Sequence, residues 1–312
     1  MFDRLSGGHF KFAPVVKAAL CALGVALPNA AWAGEVAQIP ESSWRLKKTP
    51  HFDIRYQAKW SPPGIQLTLE KLHRLLRSDL GTLADWLKNE PILIYIYKDR
   101  PSYLNGRFTP PDWSEGVAVY AEKTVAVYDQ KEAFKLHRII AHETTHLLFE
   151  GYFSGKGRNL PRWLNEGLAM LMEDGAGSNP QNYSWTQAMD AMTKDQIIPA
   201  EKFFTEDLNI ESSAEIVNDW YLQAFSMVHF LLKKHSRLQF QNFCSRLRDG
   251  ITLQEALWKT YKISSLKKLE EKWRGTLKNA GGASARQSYK RLIESVHHRS
   301  RGKAEFSPLQ RR

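Results

Sequence analysis

AHETTHLLFE, residues 141–150, places two histidines four positions apart with a glutamate directly after the first. On an α-helix, residues four apart stand on one side, about 6 Å apart along the axis, so His142 and His146 can direct their imidazoles at one point. Glu143 is rotated by about 100° from His142 and can flank that point without ligating it, where a general base for an attacking water is wanted. With ten histidines in 312 residues, about 0.02 occurrences of H-E-x-x-H are expected by chance. Two metal ligands and a base are therefore legible in one turn of helix.

A catalytic zinc site needs three protein ligands and one open position. NLPRWLNEGLAMLMED, residues 159–174, supplies the third candidate: Glu166 lies in an otherwise apolar stretch of Trp163, Leu164, Leu168, Ala169, Met170 and Leu171. A carboxylate buried there needs a compensating charge, which a divalent cation provides. Pro161 suits the first turn of this helix, and Gly167 and Ala169 are small enough to let it approach its neighbour. The alternative is a surface glutamate on an amphipathic helix.

HETTH, followed 20 residues after its second histidine by the glutamate of WLNEGLA, resembles the gluzincin (thermolysin-like) zinc metallopeptidases, in particular the bacterial peptidase MA-like family. The resemblance is tight over 136–174 and extends in looser form through 213–235. It implies a zincin-like fold, Zn2+ held by His142, His146 and Glu166, and Glu143 activating the water that attacks a peptide carbonyl. It also implies an oxyanion partner on a later helix, for which DWYLQAFSMVHFLL (219–232) offers Tyr221; a packed helix tyrosine is the competing reading. His229 and His235 read as structural or solvated. The chain departs from the family at Met170, where thermolysin-like enzymes carry an acid that orients a ligand histidine. Glu173, Asp174 or a backbone carbonyl is left to take that role, or the site is weakened. No G-x-M-E-N exopeptidase signature is found, which favours endopeptidase over aminopeptidase action.

Working outward, the half before residue 130 carries strand patterns. HFDIRYQ (51–57) alternates, ILIYIY (92–97) is apolar throughout, and GVAVYA (116–121) with TVAVYD (124–129) forms a hairpin around Glu122 and Lys123. A long helical pattern of leucines runs from Ser61 to Leu87 between the first two strands. If TVAVYD lies at the sheet edge, it can take up substrate by β-augmentation. After Gln130 the periodicity is helical, at 131–150, 161–174, 213–235, 237–248, 252–260 and 264–278, with glycines such as Gly151 and Gly250 marking breaks. The fold class is α+β: an α/β subdomain over 34–130 and a helical subdomain over 131–280 that carries the site, with the cleft between them.

The ends read differently. Arg4, Lys11 and Lys17 precede the short apolar run Ala18–Leu27, and Ala31-Trp32-Ala33 is an A-x-A cleavage site, so residues 1–33 are a signal peptide and the mature chain, periplasmic or secreted, starts at Gly34. That run is shorter than the roughly 20 residues needed to span a bilayer. Cleavage leaves Cys244 alone, which excludes an intramolecular disulfide. Of the net charge of +11, the signal holds +2 and residues 280–312 hold +6, leaving +3 for the rest. That distribution argues against a nucleic-acid surface and confines the basic character to a tail, 281–312, disordered and at most weakly associated with anionic envelope surfaces.

The sequence therefore points to an exported zinc metallopeptidase acting on peptide or protein substrates, without a membrane-spanning segment. Two alternatives stay open: a non-catalytic, metal-stabilised binding or scaffold protein, against which the intact Glu143 speaks, and a zinc hydrolase of another amide, such as cell-wall material.

Overall fold

ILIYIY becomes the middle of the sheet. The computed structural model describes residues 43–57, 64–80, 90–112, 114–154, 160–176, 185–190, 192, 196–205 and 214–277; the expected signal peptide and basic tail lie outside these. Among the described residues the strands are β1 (Arg45–Lys48), β2 (Phe52–Tyr56), β3 (Ile92–Tyr97), β4 (Gly116–Val119) and β5 (Thr124–Tyr128), in one sheet ordered β1-β2-β3-β5-β4. β2, β3 and β5 run parallel, and β1 and β4 are antiparallel to their neighbours. Strands buried on both faces need apolar side chains on both, which is why β3 reads as an unbroken apolar run. Ile92, Ile94 and Ile96 join the main core, whereas Tyr95 and Tyr97 pack with Tyr103, Val117 and Ala126 on the opposite face.

The expected hairpin forms, with Gly116 opposite Val127 and Val119 opposite Thr124. The condition for substrate uptake by TVAVYD, a place at the sheet edge, is not met. TVAVYD supplies β5, which is hydrogen-bonded to β3 on one side and β4 on the other, so GVAV of β4 is the edge strand. The physical reason lies in the side chains: Thr124 to Val127 are all buried, as an interior strand requires, while Gly116 and Val119 retain exposure.

The helices are α1 (Ile65–Leu80), α2 (Arg100–Leu104), α3 (Ala133–Ser154), α4 (Arg162–Gly175), α5 (Trp185–Asp190), α6 (Ala200–Thr205), α7 (Ala214–Lys233), α8 (Arg237–Arg248), α9 (Leu253–Tyr261) and α10 (Leu266–Arg274). α1 buries Ile65, Leu69, Leu72 and Leu76, one face at helical spacing; the rest of the long leucine pattern, 81–87, lies outside the described residues. Gly151 does not break α3, which continues to Ser154. An interior glycine costs about 1 kcal/mol, less than is regained by burying Phe149, Tyr152 and Phe153 around it. The short elements β1, α2, α5 and α6 were not anticipated.

One core runs from Phe52 in the sheet to Trp273 in α10. α3 lies against β4, β5 and α4, and α4 against α7. The α4–α7 approach depends on Gly167, where a Cβ would stand 2.4 Å from the Ala224 carbonyl oxygen. No helix among the described residues is long and apolar enough to cross a membrane.

Candidate metal centre

α3 and α4 bring the three expected ligands together. His142 Nε2 lies 3.8 Å and His146 Nε2 3.6 Å from Glu166 Oε2, and one donor atom from each residue falls within 4.8 Å of the others. These separations are too long for hydrogen bonds. They approach the roughly 3.3 Å expected between donors of a tetrahedral zinc with bonds near 2.0 Å. The group is thus positioned to bind a metal ion.

The opposite ring atoms explain why the Nε2 atoms face inward. His142 Nδ1 is 3.0 Å from Glu173 Oε2, and His146 Nδ1 is 3.0 Å from Asn165 Oδ1. Each partner atom is an acceptor, so each Nδ1 carries the proton and donates it, and each Nε2 keeps a lone pair for a metal. All four residues are buried. Glu173 is held in turn by Arg138, whose Nη2 donates to Oε1 at 3.0 Å.

Glu173 therefore takes the place left by the apolar Met170. Residues four and seven positions after Glu166 return to the same side of α4, and helical side chains lean toward the N-terminus, so Glu173 reaches back over the turn that Met170 occupies. Asp174, one position on and rotated away, instead accepts from the Trp185 backbone N at 2.8 Å and from Thr186 Oγ1 at 2.9 Å at the start of α5. Asn165 was missed in the sequence, although a second polar residue inside WLNEGLA was a signal.

Glu143 sits beside the edge strand. A Cβ at Gly116 would stand 2.8 Å from Glu143 Cγ, so only glycine lets β4 lie this close to α3. The neighbouring Ser114 hydroxyl donates to the Gly116 carbonyl, and Tyr103 Oη is 2.8 Å from Ser114 Oγ. Burial pushes the Tyr103 phenol far above its usual range, keeping it protonated in this support. Between Ile139 and Phe149, only His142, Glu143 and His146 are more than 3% exposed. The least buried side of this stretch of helix is thus the side that carries the chemistry.

Tyr221 lies on α7 with its hydroxyl shut off from solvent and its ring edge-on to Trp220, centroids 5.3 Å apart. It precedes Ala224 by one turn, so it shares the side of α7 that meets Gly167 of α4. His229 lies near Phe225 and His235 near Tyr261, both with basicity lowered first by burial. Neither belongs to the metal group.

A small mixed sheet followed by a mainly helical region, with H-E-x-x-H on one long helix and a glutamate on the next, defines a zincin-like α+β protein. In a comparison with known families, residues 75–279 match the peptidase MA superfamily, and the chain belongs to it. Its members are typically metal-dependent peptidases, so peptides or proteins are the implied substrates. The match spans from within α1 to beyond α10 and leaves out β1 and β2. No curated protein matches the chain.

Proposed function

We propose that the protein is an exported zinc metallopeptidase of the gluzincin type, acting as an endopeptidase. The observation that carries this reading is the pairing of each Nδ1 with an acceptor while both Nε2 atoms face Glu166. His142, His146 and Glu166 hold the ion, which when bound supplies Lewis-acid polarisation. A peptide adds as an extra strand to the side of β4 that has no partner strand among the described residues, which brings its carbonyl over α3. Glu143 accepts the proton of the attacking water at its carboxylate and passes it to the leaving nitrogen. Tyr221 donates a hydrogen bond to the oxyanion.

Peptide-library hydrolysis by the purified protein tests the reading. Turnover abolished by a chelator and restored by zinc supports it; a zinc-loaded protein that cleaves no peptide contradicts it. Tyr221→Phe is expected to lower kcat by about 10²–10³ with little change in KM, and a drop below about threefold returns Tyr221 to the core. Export is tested by intact mass: Gly34 at the N-terminus of envelope-fraction protein supports cleavage after Ala33, and retained Met1 refutes it.

A further inference from the structure

The open line on α3 continues past the metal centre. Beyond the buried Glu143 and His146, the positions of the helix that are only half-buried are Glu150 and Ser154, and the four residues follow at spacings of three, four and four that keep to one side. Contacts with the edge of the sheet bracket this line. At its start Gly116 of β4 closes on Glu143. At its end Ser154 Oγ donates to Tyr120 Oη at 2.7 Å, in the single helical turn (Tyr120–Glu122) that follows β4. Glu150 stands between these two contacts on the same side of the helix. It is seven residues, or about 10 Å, beyond Glu143, a distance that an extended chain covers in about three residues.

Glu150 is the anomaly on that side of the helix. Its Oε2 is closed off from solvent and has no hydrogen-bond partner among the described residues. Burial pushes its carboxyl up to about 7. The fully buried carboxylate of α4, Glu173, is by contrast engaged on both oxygens, by Arg138 and by His142. A carboxylate oxygen closed off from water and left unpaired costs stability unless an incoming group completes it.

We propose that Glu150 is a specificity-determining residue that receives a cationic side chain, lysine or arginine, of the substrate, two to three residues from the cleaved bond. The inference rests on the metallopeptidase reading. It adds the class of peptide that the site selects. A lysine or arginine reaching this side of the helix gives Glu150 the charge partner that Glu173 already has. An uncharged residue at that position leaves it buried and unmet.

The experiment compares the zinc-loaded protein with Glu150→Gln and Glu150→Lys on peptides with acetylated and with free N-termini. Lysine, arginine, norleucine and glutamate are placed in turn at each of the three positions on either side of the cleaved bond. The parent is expected to favour lysine or arginine over norleucine by about tenfold or more in kcat/KM at one fixed position, mainly through KM. In Glu150→Gln that ratio falls to near one, and in Glu150→Lys glutamate becomes the favoured residue. A parent that cleaves peptides without cationic preference, or a preference that survives in Glu150→Gln, overturns the inference alone. Cleavage that demands a free N-terminus and ignores side chains overturns it too. A zinc-loaded parent that cleaves nothing removes the metallopeptidase reading, and this inference with it.

Discussion

The two ends of α4 support the two histidines of α3 by different means. At its C-terminal end, Glu173 accepts a hydrogen bond from His142 and is itself clamped by Arg138, a buried ion pair. At its N-terminal end, the neutral amide oxygen of Asn165 accepts a hydrogen bond from His146. Both arrangements fix the same tautomer, yet they differ in what failure costs. Removing one member of a buried ion pair leaves a charge without water or partner, whereas removing a neutral acceptor leaves only an unmet donor. The difference also bears on ligand strength: a carboxylate raises the basicity of its imidazole more than an amide oxygen does.

This contrast can be broken at three points. Arg138→Met is expected to have the largest effect, a loss of about 3–5 kcal/mol of stability, read by denaturant unfolding of the metal-free protein. A loss under about 1 kcal/mol would show that Glu173 finds another partner and that the pair is not a structural anchor. Glu173→Gln keeps the shape but strands Arg138 and weakens the hold on His142. Metal affinity, measured by competition with a chromophoric chelator, should fall about 10- to 100-fold. Asn165→Ala should cost least, at or below about tenfold in the same assay. If Asn165→Ala proves more damaging than Glu173→Gln, the ranking of charged over neutral support is wrong.

How far the sequence revealed these features follows from the range of the interactions. His142, Glu143 and His146 share one helical turn, and Glu166 lies in a second strongly apolar helix, so local spacing was enough to nominate them. The strands at 52–56 and 92–97 and the hairpin at 116–128 were equally local. Which hairpin strand forms the edge was not, because it depends on whether β3 pairs with β5 or β4, a contact across some thirty residues. The choice between Glu173 and Asp174 turned on a single residue step, a rotation of about 100° that sends one side chain to His142 and the other to α5. α2 carried a readable start, since Asp99 accepts from the Ser102 backbone N at 2.8 Å with Pro101 in the first turn. β1, α5 and α6 are four to six residues long, too short for periodicity to stand out. Glu150 was inside the opening stretch, but the lack of a partner for its Oε2 is visible only in the folded chain.

The central claim is that His142, His146 and Glu166 hold a catalytic rather than a structural ion, with Glu143 as the base beside it. Zinc content and peptide turnover, measured together on the parent and on Glu143→Gln, test this most directly. The expected result is about one zinc per chain in both proteins, with hydrolysis in the parent and its collapse in the variant. A parent without zinc, or a Glu143→Gln protein as active as the parent, would contradict the account.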